Sequence, residues 1–309
     1  MDVMTLINAL PGACAQGLIW GIMAIGLYIT YKILDLADLT VDGTMATGGA
    51  VCVMMMLNGY SIGIALLCSF VAGVLAGMVT GFLHTALGIP AILAGILTQQ
   101  GLYSINLWIM EDKANQAISV DKYDLLVSLR HVKGVPFYQN ASFVTILFII
   151  VIIAILYWFF GTELGCSIRS TGANPNMSRA QGINTNITKT LGLMISNGII
   201  ALASALFAQY QGFADVNSGR GAIVIGLASI IIGQVVFGKI RGNFAFKMLA
   251  AALGAIIYYL VLQVVTWMGL PTNFLKLFAA VIVAVFLAIP YLKRKYFTKP
   301  VKRGGVEHA

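Results

Sequence analysis

Runs of about twenty apolar residues recur along this chain, and no other feature limits its fold as strongly, because that length matches the hydrocarbon core of a bilayer. They cover 6–30, 44–59, 62–87, 91–110, 141–160, 189–211, 222–238, 244–268 and 274–292. Charged residues make up 10% of the chain and hydrophobic ones 59%, with a mean hydropathy of +0.90, so too little polar surface remains for a water-soluble body. The expected fold is all-α: a polytopic integral membrane bundle of about eight to nine membrane segments. The second and seventh runs are short for a full crossing and are expected to be broken or half helices.

The net charge of +8 does not point to nucleic acid, because much of it sits in Lys293, Arg294, Lys295, Lys299, Lys302 and Arg303, directly after a span. Basic residues in that position mark a cytoplasmic flank. With the 293–309 tail inside and strict alternation, Lys32, Arg169, Arg179, Lys189, Lys239, Arg241 and Lys247 also fall inside, whereas Lys113, Lys122, Arg130, Lys133, Arg220 and Lys276 fall outside. The bias predicts an outer N-terminus and a cytoplasmic C-terminus. The N-terminus lacks the pattern of a cleaved leader, so the first span is expected to be retained. Cys14, Cys52, Cys68 and Cys166 are scattered, which indicates neither a disulfide nor a metal site.

Residues 161–188, GTELGCSIRSTGANPNMSRAQGINTNIT, form a polar insert between two apolar runs. Asn174 is a good N-cap, Pro175 suits the first helical position, and Gly182 supplies the left-handed turn that stops a helix. A helix this short is marginal by itself and needs a docking surface. The charge bias puts the insert in the cytoplasm.

The pattern Gly165, Ile168-Arg169, Gly172, Asn174, Arg179-Ala180 and Gly182-Ile183-Asn184, followed by small residues Ser196, Gly198, Ala201 and Ala203-Ser204-Ala205, resembles the coupling loop of bacterial ABC importer permeases. The resemblance is to the superfamily of branched-chain amino acid, ribose and nucleoside-type permeases. It implies one transmembrane permease domain over 1–292 with a coupling loop at 161–188 and an external loop at 111–140. It implies cytoplasmic ABC ATPases as partners, an extracytoplasmic solute-binding protein, a permease homodimer and a bacterial inner-membrane location. Arg169, Gly172, Asn174, Pro175, Arg179 and Gly182 are the expected ATPase-coupling residues. This chain needs no cofactor on that reading, because ATP and Mg belong to the partner ATPase.

Between the first two spans, Asp35, Asp38 and Asp42 lie among Leu36, Leu39, Thr40 and Thr44. Oxygen ligands suit hard cations, but the spacing matches no calcium loop. The run Asp38-Leu-Thr-Val-Asp42-Gly-Thr44 resembles a family motif that precedes a glycine-rich half helix and approaches the translocation pathway. Irregular polar backbone survives at membrane depth only beside protein or a water-filled cavity. Thr98, Gln99, Gln100, Ser104 and Asn106 in the fourth run likewise need polar neighbours. The expected pathway residues are Thr40, Asp42, Thr44, Gln99, Gln100 and Asn197. Gly73, Gly77 and Gly81, and also Gly17 and Gly21, form stripes that admit a close helix. His84 reads as an interfacial or hydrogen-bonded residue. Gln234 stands where the family carries glycine, which puts close packing there in doubt.

No Walker A motif occurs, so the chain is not itself the ATP motor, and no catalytic set points to an enzyme. An ion-coupled secondary transporter is the alternative, but such proteins keep ionisable residues inside the bundle, and here Asp35, Asp38, Asp42 and Lys276 all fall near predicted span ends. By resemblance the solute is an amino acid, aromatic or branched-chain, with ribose-like sugars or nucleosides as alternatives.

Overall fold

The computed structural model describes residues 3–119, 123, 125–129, 140–237, 243–269, and 277–278, 280–281, 283–285 and 288 of the last expected span. The 293–309 tail, Lys276 and much of the 111–140 loop lie outside these residues, as do Gly238 to Gly242. The helices are α1 (Val3–Tyr28), α2 (Thr40–Leu57), α3 (Ile62–Thr85), α4 (Ala91–Ile109), α5 (Ala141–Phe159), α6 (Glu163–Ala173), α7 (Pro175–Ala180), α8 (Thr185–Gln211), α9 (Ala222–Phe237) and α10 (Phe244–Trp267). A π-helical turn, Ile29–Ile33, extends α1. Among the described residues six helical segments are long and apolar enough to cross a membrane.

Helix α8 is the axis. Its sequence is rich in Gly, Ala and Ser from Gly192 to Ala208, so neighbouring backbones come close, and 78% of its most apolar stretch is buried against 22% for peripheral α5. The stripe Gly73, Gly77 and Gly81 of α3 lies directly on Asn197, Leu193 and Thr190, where any Cβ would collide with the α8 main chain or Thr190. That is the close approach the spacing predicts, and it makes α3 antiparallel to α8. Gly17 and Gly21 likewise let α1 meet Ile256 and Ala252 of α10. Ser196 Oγ donates to Gly26 O (2.8 Å) and Tyr210 Oη to Gly12 O (3.0 Å), which sets α1 antiparallel to α8. Helix α2 runs parallel to α8, with Thr44 beside Asn197 and Cys52 beside Gln209.

These pairings place the π turn, the start of α4, α6–α7 and the start of α8 at one end of the bundle. The 58–61 turn and the two-stranded sheet lie at the other. In that sheet β1 (Asn115–Ala117) pairs antiparallel with β2 (Phe213–Asp215) in the register Asn115↔Asp215. No local pattern announces it: β1 sits in the expected external loop, and the pairing satisfies backbone groups of both segments.

Two expectations change. Helix α2 begins at Thr40 rather than near residue 44, so Thr40 and Asp42 belong to its first turn instead of a connecting segment. It starts well inside the bundle. Thr44 bonds Asn197, which lies about 18 Å along α8 at 1.5 Å per residue. Helix α9 starts beside it, because the Asp42 carboxylate accepts the Gly221 and Ile223 N–H groups, both at 3.0 Å. The starts of α2 and α9 therefore meet part-way along the bundle. Close packing also survives near Gln234, because the adjacent Gly233 lies on the Ala250 carbonyl of α10.

Candidate functional site: a docked surface helix and a buried polar junction

The 161–188 insert folds as two helices rather than one. Thr162 caps α6, its hydroxyl accepting the Gly165 N–H at 3.4 Å. Asn174 Oδ1 accepts the Asn176 and Met177 N–H groups, both at 3.1 Å, and Pro175 occupies the first turn of α7, as its sequence dictates. Gly182 has φ +83° and closes α7, with Ile183 N–H returning to Ser178 O at 3.0 Å. Ser178 is buried and bonds Ser170 and the Asn174 carbonyl. Pro175, Asn176, Met177 and Arg179 are exposed, so α7 turns one face inward and offers the other.

The six expected coupling residues divide by what they touch. Asn174, Pro175 and Gly182 shape α7. Arg179 Nε donates to Thr185 Oγ1 (2.7 Å), which holds the guanidinium beside the start of α8. Gly172 is an internal joint, since a Cβ there would overlap the Ile33 carbonyl of the π turn. Thr171 Oγ1 and Thr188 Oγ1, 2.9 Å apart, fasten α6 to α8. Arg169 stands 5.5 Å above the Phe244 ring and faces a cavity between the π turn, α6, α9 and α10.

Deeper in the bundle the three aspartates separate. Asp35 is exposed with φ +53°, Asp42 reaches α9, and Asp38 is buried. They do not form one cation site, and among the described residues no group of three or more His, Cys, Asp or Glu is placed to hold a metal. Asp38 accepts the Thr40 N–H at 2.9 Å and the Asn197 amide at 2.7 Å. Asn197 Oδ1 accepts from Thr44 Oγ1 at 2.7 Å, and the amide also donates to Leu193 O at 3.0 Å. Thr40, Thr80 and Thr98 continue the polar chain to α3 and α4 through hydroxyl contacts of 2.7 and 2.9 Å. Of the expected pathway residues, Thr40, Thr44 and Asn197 therefore lock helices together.

Sequence reasoning placed Asp38 near a span end, and the structure puts it inside. The available signal was its position two residues before Thr40, where a carboxylate can accept an N–H of a starting helix.

Asp42, Gln99 and Gln100 instead line a separate cavity of about 70 Å³ with Tyr103, Asn106 and Arg220. Asn106 is fully buried, and neither amide atom has a hydrogen-bond partner among the described residues. A buried amide left open costs about 1–3 kcal/mol, so the site is suited to a polar occupant. Gln100, Tyr103 and Ser104 extend this polar strip onto the exposed face of α4. His84 bonds Ile89 O (2.9 Å) and Lys189 Nζ (3.3 Å), in keeping with its reading as a hydrogen-bonded residue.

Residues 11–290 match the family described as branched-chain amino acid transport system, permease component. The chain belongs to this family. This permease is 39% identical over 273 residues to the tyrosine transport system permease protein of Clostridioides difficile (strain R20291), which covers 88% of each chain. It is 35% identical over 292 residues to an uncharacterized protein of Rickettsia prowazekii (strain Madrid E), covering 93% of this chain and 99% of the other. It is 28% identical over 221 residues to the autoinducer 2 import system permease protein LsrC of Photorhabdus laumondii, covering 68% of the permease and 64% of that protein. The structure of PsaBC from Streptococcus pneumoniae in complex with Fab contains a chain of the same fold. It has a TM-score of 0.53 at 16% identity and covers 95% of this chain and 100% of that one.

Proposed function

We propose that this permease is the membrane subunit of an ATP-driven importer for an amino acid, with an aromatic solute favoured. The observation that carries the ATP-driven part is α7: a capped helix with one face docked on the bundle and Pro175, Asn176, Met177 and Arg179 facing out. The likeness to a tyrosine permease supports the solute. A cytoplasmic ABC ATPase, which binds ATP and Mg, grips α7. A solute-binding protein delivers the amino acid at the opposite end. Gln100, Tyr103 and Ser104 are costly against lipid, and a second permease copy facing this strip gives them a shared polar path. The membrane is the bacterial inner membrane, with the α7 end in the cytoplasm.

The push travels through packed groups. Helix α6 rests on the π turn through Gly172, and the chain passes from that turn through Asp38 into the first turn of α2, beside Asp42, Gln99 and Gln100. ATPase closure that moves α6 therefore favours one arrangement of the α2 start over another, and the difference in affinity between the two states drives the switch.

Reconstitution tests the proposal. Proteoliposomes holding the permease, its ATPase and its binding protein are expected to take up tyrosine only with ATP. Arg179→Glu is expected to lower ATPase co-purification at least about 10-fold, as loss of about 1.4 kcal/mol or more gives. Lys113→Glu, at the opposite end, is expected to leave it unchanged. Uptake driven by a proton gradient without ATP would favour the ion-coupled alternative.

A further inference from the structure

The cavity that Arg169 faces has a volume of about 570 Å³ and lies where the π turn, α6 and the facing ends of α9 and α10 meet. Among the described residues three cations line it, Lys32, Arg169 and Lys247, and no carboxylate does. Among the described residues the one ion pair joins Lys113 to Glu111 at the other end of the molecule, so these three cations have no acidic partner. Tyr28, Phe237 and Phe244 supply an apolar wall. Phe244 lies under the Arg169 guanidinium at 5.5 Å, which fixes its direction at little further entropic cost.

Three like charges gathered on one cavity repel each other and gain from a shared anion. A guanidinium with two ammonium groups is the usual partner set for a phosphate, whose oxygens accept several charge-assisted bonds. The aromatic wall adds a demand for an apolar part on the same ligand. The site also sits at the end of the bundle, within reach of a bilayer surface, where clustered Lys and Arg recognise anionic headgroups.

We propose that this cavity binds a phosphate-bearing ligand, with the phosphodiester headgroup of an anionic phospholipid as its source. The phosphate sits among Lys32, Arg169 and Lys247, and the glycerol and first acyl carbons lie on Tyr28, Phe237 and Phe244. Because the ligand touches both α6 and α10, it braces the coupling segment against the bundle. This goes beyond the transport reading and does not depend on the identity of the solute.

The test is native mass spectrometry of the full chain, delipidated in detergent and titrated with phosphatidylglycerol or with phosphatidylcholine. Wild type is expected to hold one phosphatidylglycerol at least about 10-fold more tightly than phosphatidylcholine, and Lys32→Gln/Arg169→Gln/Lys247→Gln to lose that preference. Lys247→Gln alone, at an exposed residue, serves where the triple variant is poorly folded and is expected to weaken phosphatidylglycerol about 3-fold or more. Lys113→Gln is expected to bind as wild type. Displacement of the lipid by millimolar glycerol phosphate would keep the phosphate site and assign it to a soluble ligand. Equal affinity of wild type for the two lipids, or full preference retained in the triple variant, would overturn the proposal.

Discussion

Asn197→Ala is expected to be among the most damaging single substitutions in the chain, costing about 1–3 kcal/mol for each buried polar group it leaves without its hydrogen-bond partner. The substitution takes away the amide that donates to Asp38 at 2.7 Å and the oxygen that accepts from Thr44. Asp38 is then left with the Thr40 N–H in a site that is 2% exposed. The sign of the second step makes the prediction sharp. Adding Asp38→Asn removes the buried carboxyl left short of partners, so the double variant is expected to melt at a higher temperature than Asn197→Ala alone, though below wild type. Thermal unfolding of the three proteins in one detergent gives the order. A double variant no more stable than the single would show that the pair is not coupled.

Gly172→Val is expected to break transport without breaking the complex. Any Cβ at this position overlaps the Ile33 carbonyl, so α6 must lift from the π turn. Overpacking of this kind costs about 1–3 kcal/mol, which a large bundle survives when the change lies at one end. On the proposed route, the joint that passes the push to Asp38 and α2 is then lost. With the ATPase still bound to α7, hydrolysis is expected to continue while ATP-dependent uptake falls at least about 100-fold, the upper end of ordinary coupling energies. Retained uptake at wild-type hydrolysis would remove Gly172 and the π turn from the route.

What the sequence made legible follows from how local each signal is. The caps of α7 were readable because Asn174, Pro175 and Gly182 act on their own neighbours. The α3 seam was readable because its glycines repeat every four residues on one face, and the partner, α8, followed only from the fold. That the second and seventh runs start side by side came only from contacts far apart in sequence: Asp42 with Gly221 and Ile223, and Thr44 with Asn197.

The polar residues were harder to assign. Thr40, Thr44, Asn197, Asp42, Gln99 and Gln100 look alike in a sequence, since each is a polar group in apolar surroundings. The fold divides them, the first three into helix-locking bonds and the last three around a cavity with the open amide of Asn106. Asp38 escaped notice as an interior residue because hydropathy ends a span wherever charge appears, whereas the bundle closes over this one. Gly172 was assigned to a partner surface because it lies in the insert, and contact with Ile33 shows that it faces inward.

The central claim is that the α6–α7 end of the bundle faces the cell interior, where an ATPase can grip it. Cys166 is a natural reporter, because it is exposed on α6 whereas Cys52 is buried and Cys14 and Cys68 are partly covered. A membrane-impermeant maleimide, followed by peptide mapping, reads its side directly. Cys166 is predicted to be modified in inverted membrane vesicles and spared in intact cells. Modification of Cys166 from outside intact cells would reverse the orientation and leave the motor nothing to hold.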